Sequence, residues 1–282
     1  MNLNNFQTKA FRYSPSNSTS LRNNYIRDIL NYNNKLYLAS HNGVLVFDPK
    51  TEQCTFLINN KKYGLENKQI WDMMLDSKAR LWFSTAYAVF RYDFKTNILK
   101  KYINDPTDNS SISATYVNTF FQDSKGRIWI GSAGGGLNLY NDKTDSFRFY
   151  NSTNSEIIDD YIVDIKESKT GYLLIATNKG FSFFDADNRK FFNFQNQSVF
   201  PITAINDGGL FVTRDGEIYI GSTNGLFSFR ENLLNIQPKP FNIVISDIYV
   251  NNKLIRPDED GVLEKSISYL DEISLHHNEN AI

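Results

Sequence analysis

Three aspartates that return at one position of a repeated strand are the residues of this sequence best suited to acid–base chemistry. Asp28, Asp72 and Asp164 each lie in a short apolar segment that reads as a strand. A glycosidase needs two carboxyl groups at a defined separation. Because the same carboxylate returns in several repeats, we favour a shared structural role, such as binding a neighbouring backbone or facing solvent, over catalysis.

A second set of aspartates stands in turns that lead into strands. Asp76, Asp123 and Asp215 open turns of the type Asp-x-x-Gly or a variant of it. The short Asp side chain hydrogen-bonds nearby backbone groups in tight turns. These three residues are therefore predicted to shape hairpins rather than to act on a substrate.

Motifs for metal, phosphate and nucleophile chemistry are missing from the sequence. His41 is far from His276 and His277, and two adjacent histidines on a strand point to opposite faces. The chain has no Gly-x-Ser-x-Gly, no Walker loop and no Cys/His cluster with ligand spacing. Gly134–Gly136 reads as a hairpin turn, because no helix follows it to hold a phosphate. We therefore predict no cofactor, no metal site and no enzymatic activity in this chain.

Aromatic and polar side chains recur where the repeated strands would begin and where their hairpins would turn. Carbohydrate sites combine aromatic faces, which pack on sugar C–H groups, with hydrogen-bonding side chains at a concave rim. In a ring of strands these positions share one face around the channel mouth. The predicted ligand-binding residues are Tyr25, Arg27, His41, Trp71, Tyr87, Tyr116 and Tyr161.

The elements that would position these residues form a repeat. A turn followed by a short apolar strand and a hydroxyl occurs five times, and the hydroxyls lie at intervals of 45, 47, 45 and 45 residues. A period of roughly 40–50 residues made only of strands and turns is typical of β-propeller blades. The five hydroxyl residues are Ser40, Thr85, Ser132, Thr177 and Ser222.

Each repeat is predicted to contribute its first strand to the lining of a central channel. The apolar residues aligned in these first strands are Ile26, Ile70, Val117, Ile162 and Ile202. Four repeats continue to a fourth, outer strand, whereas the fifth has no obvious one. The segment Lys9–Tyr13 reads as a lone strand that could fill this place and close the ring, which would remove exposed sheet edges. The alternative is that the five blades belong to a larger propeller.

The sequence changes character after the fifth repeat. Residues 1–237 are predicted to form the propeller, and residues 238–282 to begin an Ig-like β-sandwich. In this tail two extended segments flank the turn Asn251-Asn252. The fold class is therefore all-β: about five four-stranded blades, as a fragment or a closed ring, followed by a partial sandwich.

Composition limits the partners. The formal net charge of −1 over 282 residues provides no basic field for nucleic acid or an anionic membrane. Cys54 is the only cysteine, so no internal disulfide can form. No stretch approaches ~18 uninterrupted apolar residues, so no membrane-spanning helix is predicted within these residues.

The repeat resembles that of a known family. The segment Asp123–Ser132, followed by Gly135-Gly136-Leu137, is similar to the regulator-propeller repeat of bacterial hybrid two-component sensors. The tail, with Ile243–Ile255 and Asp271–Asn280, looks like the opening strands of the Ig-like domain named for its three tyrosines. Family propellers are usually seven-bladed and paired, whereas five repeats are present here, and neither the transmembrane helix nor the kinase is within the chain.

The resemblance implies a function and a location. It implies the extracytoplasmic sensor region of an inner-membrane hybrid histidine kinase, on the periplasmic side, that binds an oligosaccharide and acts as a homodimer in the full receptor. Two other classes remain open from the residues. One is a protein-interaction scaffold without a small ligand, since a fold does not determine a function; the other is a polysaccharide lyase or glycosidase.

Overall fold

The computed structural model describes residues 8–58, 60–194, 202, 204–233, 249–250 and 253–256. The chain divides into two compact units, Met1–Ile236 and Gln237–Ile282. Helix within the described residues is limited to α1 (Asn60–Tyr63) and a 3₁₀ turn at Glu231–Leu233. The first unit is a five-bladed β-propeller, which confirms the all-β prediction.

The first four sheets each have four antiparallel strands in sequential order, and the fifth has three strands within the described residues. The strands are β1 (Ile26–Tyr32), β2 (Lys35–Ser40), β3 (Gly43–Asp48), β4 (Gln53–Phe56); β5 (Met73–Leu75), β6 (Arg80–Thr85), β7 (Ala88–Asp93), β8 (Ile98–Tyr102); β9 (Val117–Gln122), β10 (Ile128–Ser132), β11 (Gly136–Asn141), β12 (Ser146–Tyr150); β13 (Ile162–Glu167), β14 (Leu173–Thr177), β15 (Gly180–Asp185), β16 (Lys190–Phe194); and β17 (Ile205–Val212), β18 (Glu217–Ser222), β19 (Gly225–Arg230).

The apolar residues lie between consecutive sheets. Every residue of β6, β10 and β14 is buried, because these second strands have a neighbouring sheet on both faces. Trp82, fully buried, packs with Ile130 and Phe147 between the second and third sheets. Outer strands such as β8 are mostly exposed or half-buried. The repeated apolar strand of the sequence is thus the strand that is covered on both sides.

The recurring hydroxyl closes the hairpin that follows it. Ser40 Oγ donates to the carbonyl of Gly43 at 2.7 Å and accepts the N–H of Asn42 at 3.1 Å. Ser132 makes the corresponding bond to Gly136, whose φ of +81° and tight contact with the Tyr150 carbonyl both require glycine. In each sheet the hydroxyl therefore holds the turn between the second and third strands.

The first strands line a central channel, as predicted. A cavity of about 330 Å³ is bordered by residues from β1, β5, β9, β13 and β17. The inner strands contact one another in chain order, from β1 to β17. The fifth inner strand was placed too early in the sequence, however. It runs from Ile205 to Val212, and Ile205, rather than Ile202, pairs with Ser222 across an irregularity that contains Gly208 and Gly209.

The segment Lys9–Tyr13 does not act as the missing fourth strand. In the described residues Tyr13 forms only an isolated bridge, with Leu21. The Phe11 ring packs on Phe47 of β3 with centroids 4.7 Å apart. The prediction of a strand here was wrong, because this segment covers the free face of the first sheet through side-chain contacts.

Two of the turn aspartates are buried braces, as the structural prediction required. The Asp123 carboxylate accepts the backbone N–H of Arg127 at 2.8 Å, its Nε–H at 2.5 Å and the Trp129 indole N–H at 2.9 Å. Asp76 does the same for Arg80 and Trp82. Asp215, by contrast, has a side chain that is 66% exposed.

In the second unit the described residues form one antiparallel pair, β20 (Tyr249–Val250) and β21 (Lys253–Leu254). This pair flanks the predicted Asn-Asn turn. The rest of the proposed Ig-like domain lies outside the described residues, so both that domain and the boundary at residue 237 stay predictions.

The Asp123 brace yields a stability prediction. Asp123→Ala leaves the Trp129 indole N–H and the Arg127 side chain without their acceptor, and is expected to lower the free energy of unfolding by about 3 kcal/mol. Urea denaturation followed by circular dichroism measures this. The matched control is Asp215→Ala, which removes an exposed carboxylate from the corresponding turn and should leave the midpoint nearly unchanged. Equal losses in both variants would contradict the brace.

Candidate functional site

The strongest candidate site is an array of side chains at the channel mouth. Arg27 belongs to β1, Trp71 lies two residues before the start of β5, and Tyr116 directly precedes β9. The Arg27 guanidinium carbon lies 4.7 Å from the Trp71 ring centroid. The rings of Trp71 and Tyr116 meet edge to face, with centroids 5.3 Å apart. We call Arg27, Trp71 and Tyr116 the mouth array; it spans the first three sheets.

Two further groups lie around the same mouth. Burial raises the pKa of Tyr116, and the proximity of Tyr161 and Asp207 adds to this rise, whereas the positive charge of Arg27 opposes it. Tyr161 directly precedes β13, and its backbone bridges to Ala133. The fourth and fifth sheets therefore contribute a phenol and a carboxylate to the surroundings of Tyr116.

Asp207 is not among the residues predicted from sequence. The predicted fifth inner strand is aligned on Ile202, three residues before Ile205, and this alignment leaves Asp207 outside the repeated position. The signal was present in the hydroxyl series, since Ser222 pairs with Ile205 as Thr177 pairs with Ile162. Aligning on the hydroxyls would have placed Asp207 at the inner strand.

The other predicted binding residues form separate pairs. The rings of Tyr25 and His41 lie 3.8 Å apart, and Lys68 Nζ lies 4.6 Å from the Tyr87 ring. Tyr25 and Tyr87 are 51% and 65% exposed. Of the seven predicted residues, the structure thus joins three in the mouth array and places Tyr161 near them, while Tyr25, His41 and Tyr87 flank the turns after β2 and β6.

Inside the channel the repeated aspartates connect neighbouring inner strands. Asp72 Oδ2 accepts the backbone N–H of Phe120 on β9 at 2.9 Å. Asp164 Oδ2 accepts the N–H of Leu210 on β17 at 3.1 Å. Asp28 Oδ1 instead accepts the N–H of the adjacent Ile29 at 2.7 Å. The expected structural role, binding a neighbouring backbone, is confirmed for Asp72 and Asp164.

These carboxyl groups differ in their electrostatic surroundings. Burial raises the pKa of Asp72 to about 7, and the nearby charges of Asp28 and Asp164 add to the effect. Burial also raises the pKa of Asp28. Asp164 instead has a counter-ion, because Lys166 Nζ lies 2.7 Å from its Oδ1. The three aspartates therefore occupy one position of the repeat with two different charge environments.

In the described part of the chain, no group of three or more His, Cys, Asp or Glu side chains is placed to hold a metal ion. His276 and His277 lie outside the described residues. Cys54 is buried, and burial raises the pKa of its thiol to about 11, so it is protonated at neutral pH.

The comparisons with known proteins agree with the repeat pattern. Residues 111–134, which include all of β9 and β10 and the start of the following turn, match the family model described as "Two component regulator propeller". This segment is therefore similar to the repeat of that family. The matched residues contain Tyr116 of the mouth array and the Asp123 brace.

A curated relative of this chain is Histidine kinase P4 of Formosa agariphila. The two are 25% identical over 295 residues, which cover 97% of this chain and 21% of the relative. The chain thus spans about a fifth of the length of the curated relative that it matches. None of the helices in the described residues is long and apolar enough to span a bilayer.

Solved structures share the fold. The extracellular domain of a putative hybrid two component system from B. thetaiotaomicron superposes with a TM-score of 0.59 at 17% identity, covering 79% of this chain and 37% of that one. PorZ, a surface component of the type-IX secretion system of Porphyromonas gingivalis, gives 0.53 at 13% identity, covering 72% and 32%. These likenesses establish the propeller architecture.

The mouth array predicts a fluorescence signature. Trp82 and Trp129 are fully buried, whereas Trp71 is half-buried beneath Arg27. Acrylamide should therefore quench mainly Trp71, and Trp71→Phe should abolish most of the quenchable emission. Arg27→Ala should increase quenching because it uncovers the ring. Lys68→Ala, which removes a cation from Tyr87 instead, is the control; an increase in quenching as large as that of Arg27→Ala would show that Arg27 does not cover Trp71.

Proposed function

We propose that this propeller is the ligand-binding part of an extracytoplasmic sensor in a hybrid two-component histidine kinase. The family match and the curated relative named as a histidine kinase support this assignment. A fold shared with the extracellular domain of a putative hybrid two component system agrees with it. In this proposal the propeller has no enzymatic activity of its own, and the kinase and membrane anchor belong to other parts of the full protein.

The ligand that the mouth array suits best is an oligosaccharide. The observation that carries this is the convergence of Arg27, Trp71 and Tyr116 from three sheets at one opening. The indole and phenol rings offer apolar surface to sugar C–H groups, and the guanidinium and phenol hydroxyl offer hydrogen bonds. Asp207 adds an acceptor from the fifth sheet.

Signalling follows from a ligand that binds one arrangement of the receptor more tightly than another. A ligand at the mouth contacts side chains of several sheets at once, so it stabilises one arrangement of these sheets relative to one another. In the full receptor, which we propose to be a homodimer, this bias would be passed to the kinase. A ligand can shift such an equilibrium only by its difference in affinity for the two states.

A protein-interaction scaffold is the second candidate function. Phe211 and Leu226 of the fifth sheet are 62% and 71% exposed. Exposed apolar side chains of this size are typical of surfaces that contact other proteins when they form a patch. This function would require no occupant at the channel mouth.

The proposal is tested by screening the chain against plant, host and microbial oligosaccharides, with thermal unfolding and Trp71 emission as readouts. A ligand at 100 times its dissociation constant should stabilise the fold by about 2.7 kcal/mol. Trp71→Ala and Tyr116→Ala should each weaken binding at least tenfold, which is about 1.4 kcal/mol.

The control is Tyr13→Ala, which removes a half-exposed tyrosine of the amino-terminal segment and should leave affinity unchanged. Equal affinity of the Trp71 and Tyr116 variants would place the ligand elsewhere. Formation of a shorter saccharide product during incubation would favour the lyase or glycosidase alternative. Absence of any ligand, together with capture of a partner that Phe211→Ser abolishes, would favour the scaffold.

A further inference from the structure

We propose that the saccharide recognised at the mouth array is acidic, and that Arg27 binds its anionic group, a carboxylate of a uronic acid or a sulfate ester. This inference rests on the proposed function, because it names the class of saccharide that the mouth array would select. The observation that carries it is an exposed guanidinium held over an indole ring, with no acidic partner among the described residues.

A β-bulge sets the direction of the Arg27 side chain. In the pairing of β1 with β2, Ile26 lies opposite Ser40 and Asp28 lies opposite Ala39, so Arg27 is the extra residue on its strand. A bulge breaks the regular alternation of a strand and can re-aim a side chain. Arg27 is exposed, and its guanidinium carbon lies 4.7 Å from the indole centroid of the mouth array. The bulge therefore presents the guanidinium at the mouth.

Other arginines that lie over tryptophan rings are neutralised within the fold. The guanidinium carbons of Arg80, Arg91 and Arg127 lie 5.8, 5.6 and 5.4 Å from the centroid of a tryptophan ring. Each of the three also forms an ion pair with an aspartate. In the part of the chain that the structure describes, Arg27 has the ring of Trp71 but no such carboxylate. Its N–H groups are therefore available to a ligand.

A guanidinium in this state suits an anionic group better than a neutral one. Its five N–H donors form a rigid planar fork, and it has no acceptor. A carboxylate can accept two of these donors in parallel, and charge-assisted hydrogen bonds are roughly twice as strong as neutral ones. A neutral hydroxyl gains neither advantage. An acidic sugar is therefore expected to bind Arg27 more tightly than a neutral sugar of the same linkage.

The rest of the mouth array favours one orientation of an acidic sugar. Trp71 and Tyr116 meet edge to face, so a sugar ring packed against this pair lies next to Arg27. Burial is the main cause that raises the pKa of Tyr116; Tyr161 and Asp207 add to this rise, and the charge of Arg27 opposes it. The charge of Asp207 would repel an acidic group placed beside Tyr116. The acidic group is therefore expected to face Arg27.

The inference is tested with matched pairs of ligands on the wild-type chain. The acidic members are trisaccharides of galacturonate, glucuronate and mannuronate, and a sulfated trisaccharide of galactose. The neutral members are their carboxyl-reduced and desulfated forms. Calorimetry at low salt should give at least roughly tenfold higher affinity for an acidic member than for its neutral form. The difference should shrink at higher ionic strength, because salt screens an exposed charge pair. The acidic member that responds identifies the anionic group.

Arg27→Gln tests whether this side chain carries the selectivity. The variant should lower the affinity for the acidic member to that of the neutral member, and leave the neutral affinity nearly unchanged. The matched control is Arg148→Gln. Arg148 is exposed on β12, and its guanidinium carbon lies 5.5 Å from the Tyr150 ring centroid. The control thus removes the same charge from the same kind of contact on an outer strand, and should keep the preference for the acidic member.

The outcomes separate this inference from the proposed function. Equal affinity for acidic and neutral members in the wild type, or binding of neutral saccharides alone, would overturn the inference and leave the proposed function standing. Neither result depends on the folding of a variant. A preference for the acidic member that folded Arg27→Gln retains would overturn the assignment to Arg27. If no saccharide of either kind binds, the proposed function and the inference fail together.

Discussion

Burial between consecutive sheets is the constraint on which the rest of this structure depends. A four-stranded sheet of this length has two apolar faces and cannot cover either alone, so each sheet needs a neighbour on both sides. Trp82 illustrates this, since it is fully buried and the Tyr140 ring of the next sheet meets it edge to face, with centroids 4.8 Å apart. The first sheet, which lacks an earlier neighbour within the described residues, is covered in part by Phe11 and Leu21. Positions on the inner strands are fixed as a consequence of this packing.

This packing between sheets explains why the architecture could be predicted from the sequence. Strands covered on both faces must be apolar throughout, and hairpins between them need a hydroxyl and a residue tolerant of positive φ, so both features recur with the blade period. The inner strands were identified from the same period. The prediction for the fifth inner strand is wrong because the extra residues around Gly208 and Gly209 have no apolar pattern. The apolar residue Ile202 therefore matched the expected start of the strand.

The candidate site could be predicted only in part from the sequence. Aromatic residues before the inner strands were recognised, but the sequence does not encode which of them face one another. Arg27, Trp71 and Tyr116 meet because they come from three successive sheets, whereas Tyr25 turns to His41. Recurrence of the channel aspartates indicated their structural role correctly. It did not distinguish Asp164, whose cationic neighbour Lys166 lies two residues further along the same strand.

The hydroxyl that closes each hairpin has a consequence for how such a protein can diversify. Ser40 and Thr177 bind the far end of their own turn, so this closing bond does not depend on the side chains between the two ends. Thr85 makes this bond to Ala88, which stands where the other four turns have glycine, and Tyr87 in this turn is exposed. The exposed residues of one turn can therefore change, and with them the ligand that is recognised, while the closing bond of the hairpin is kept.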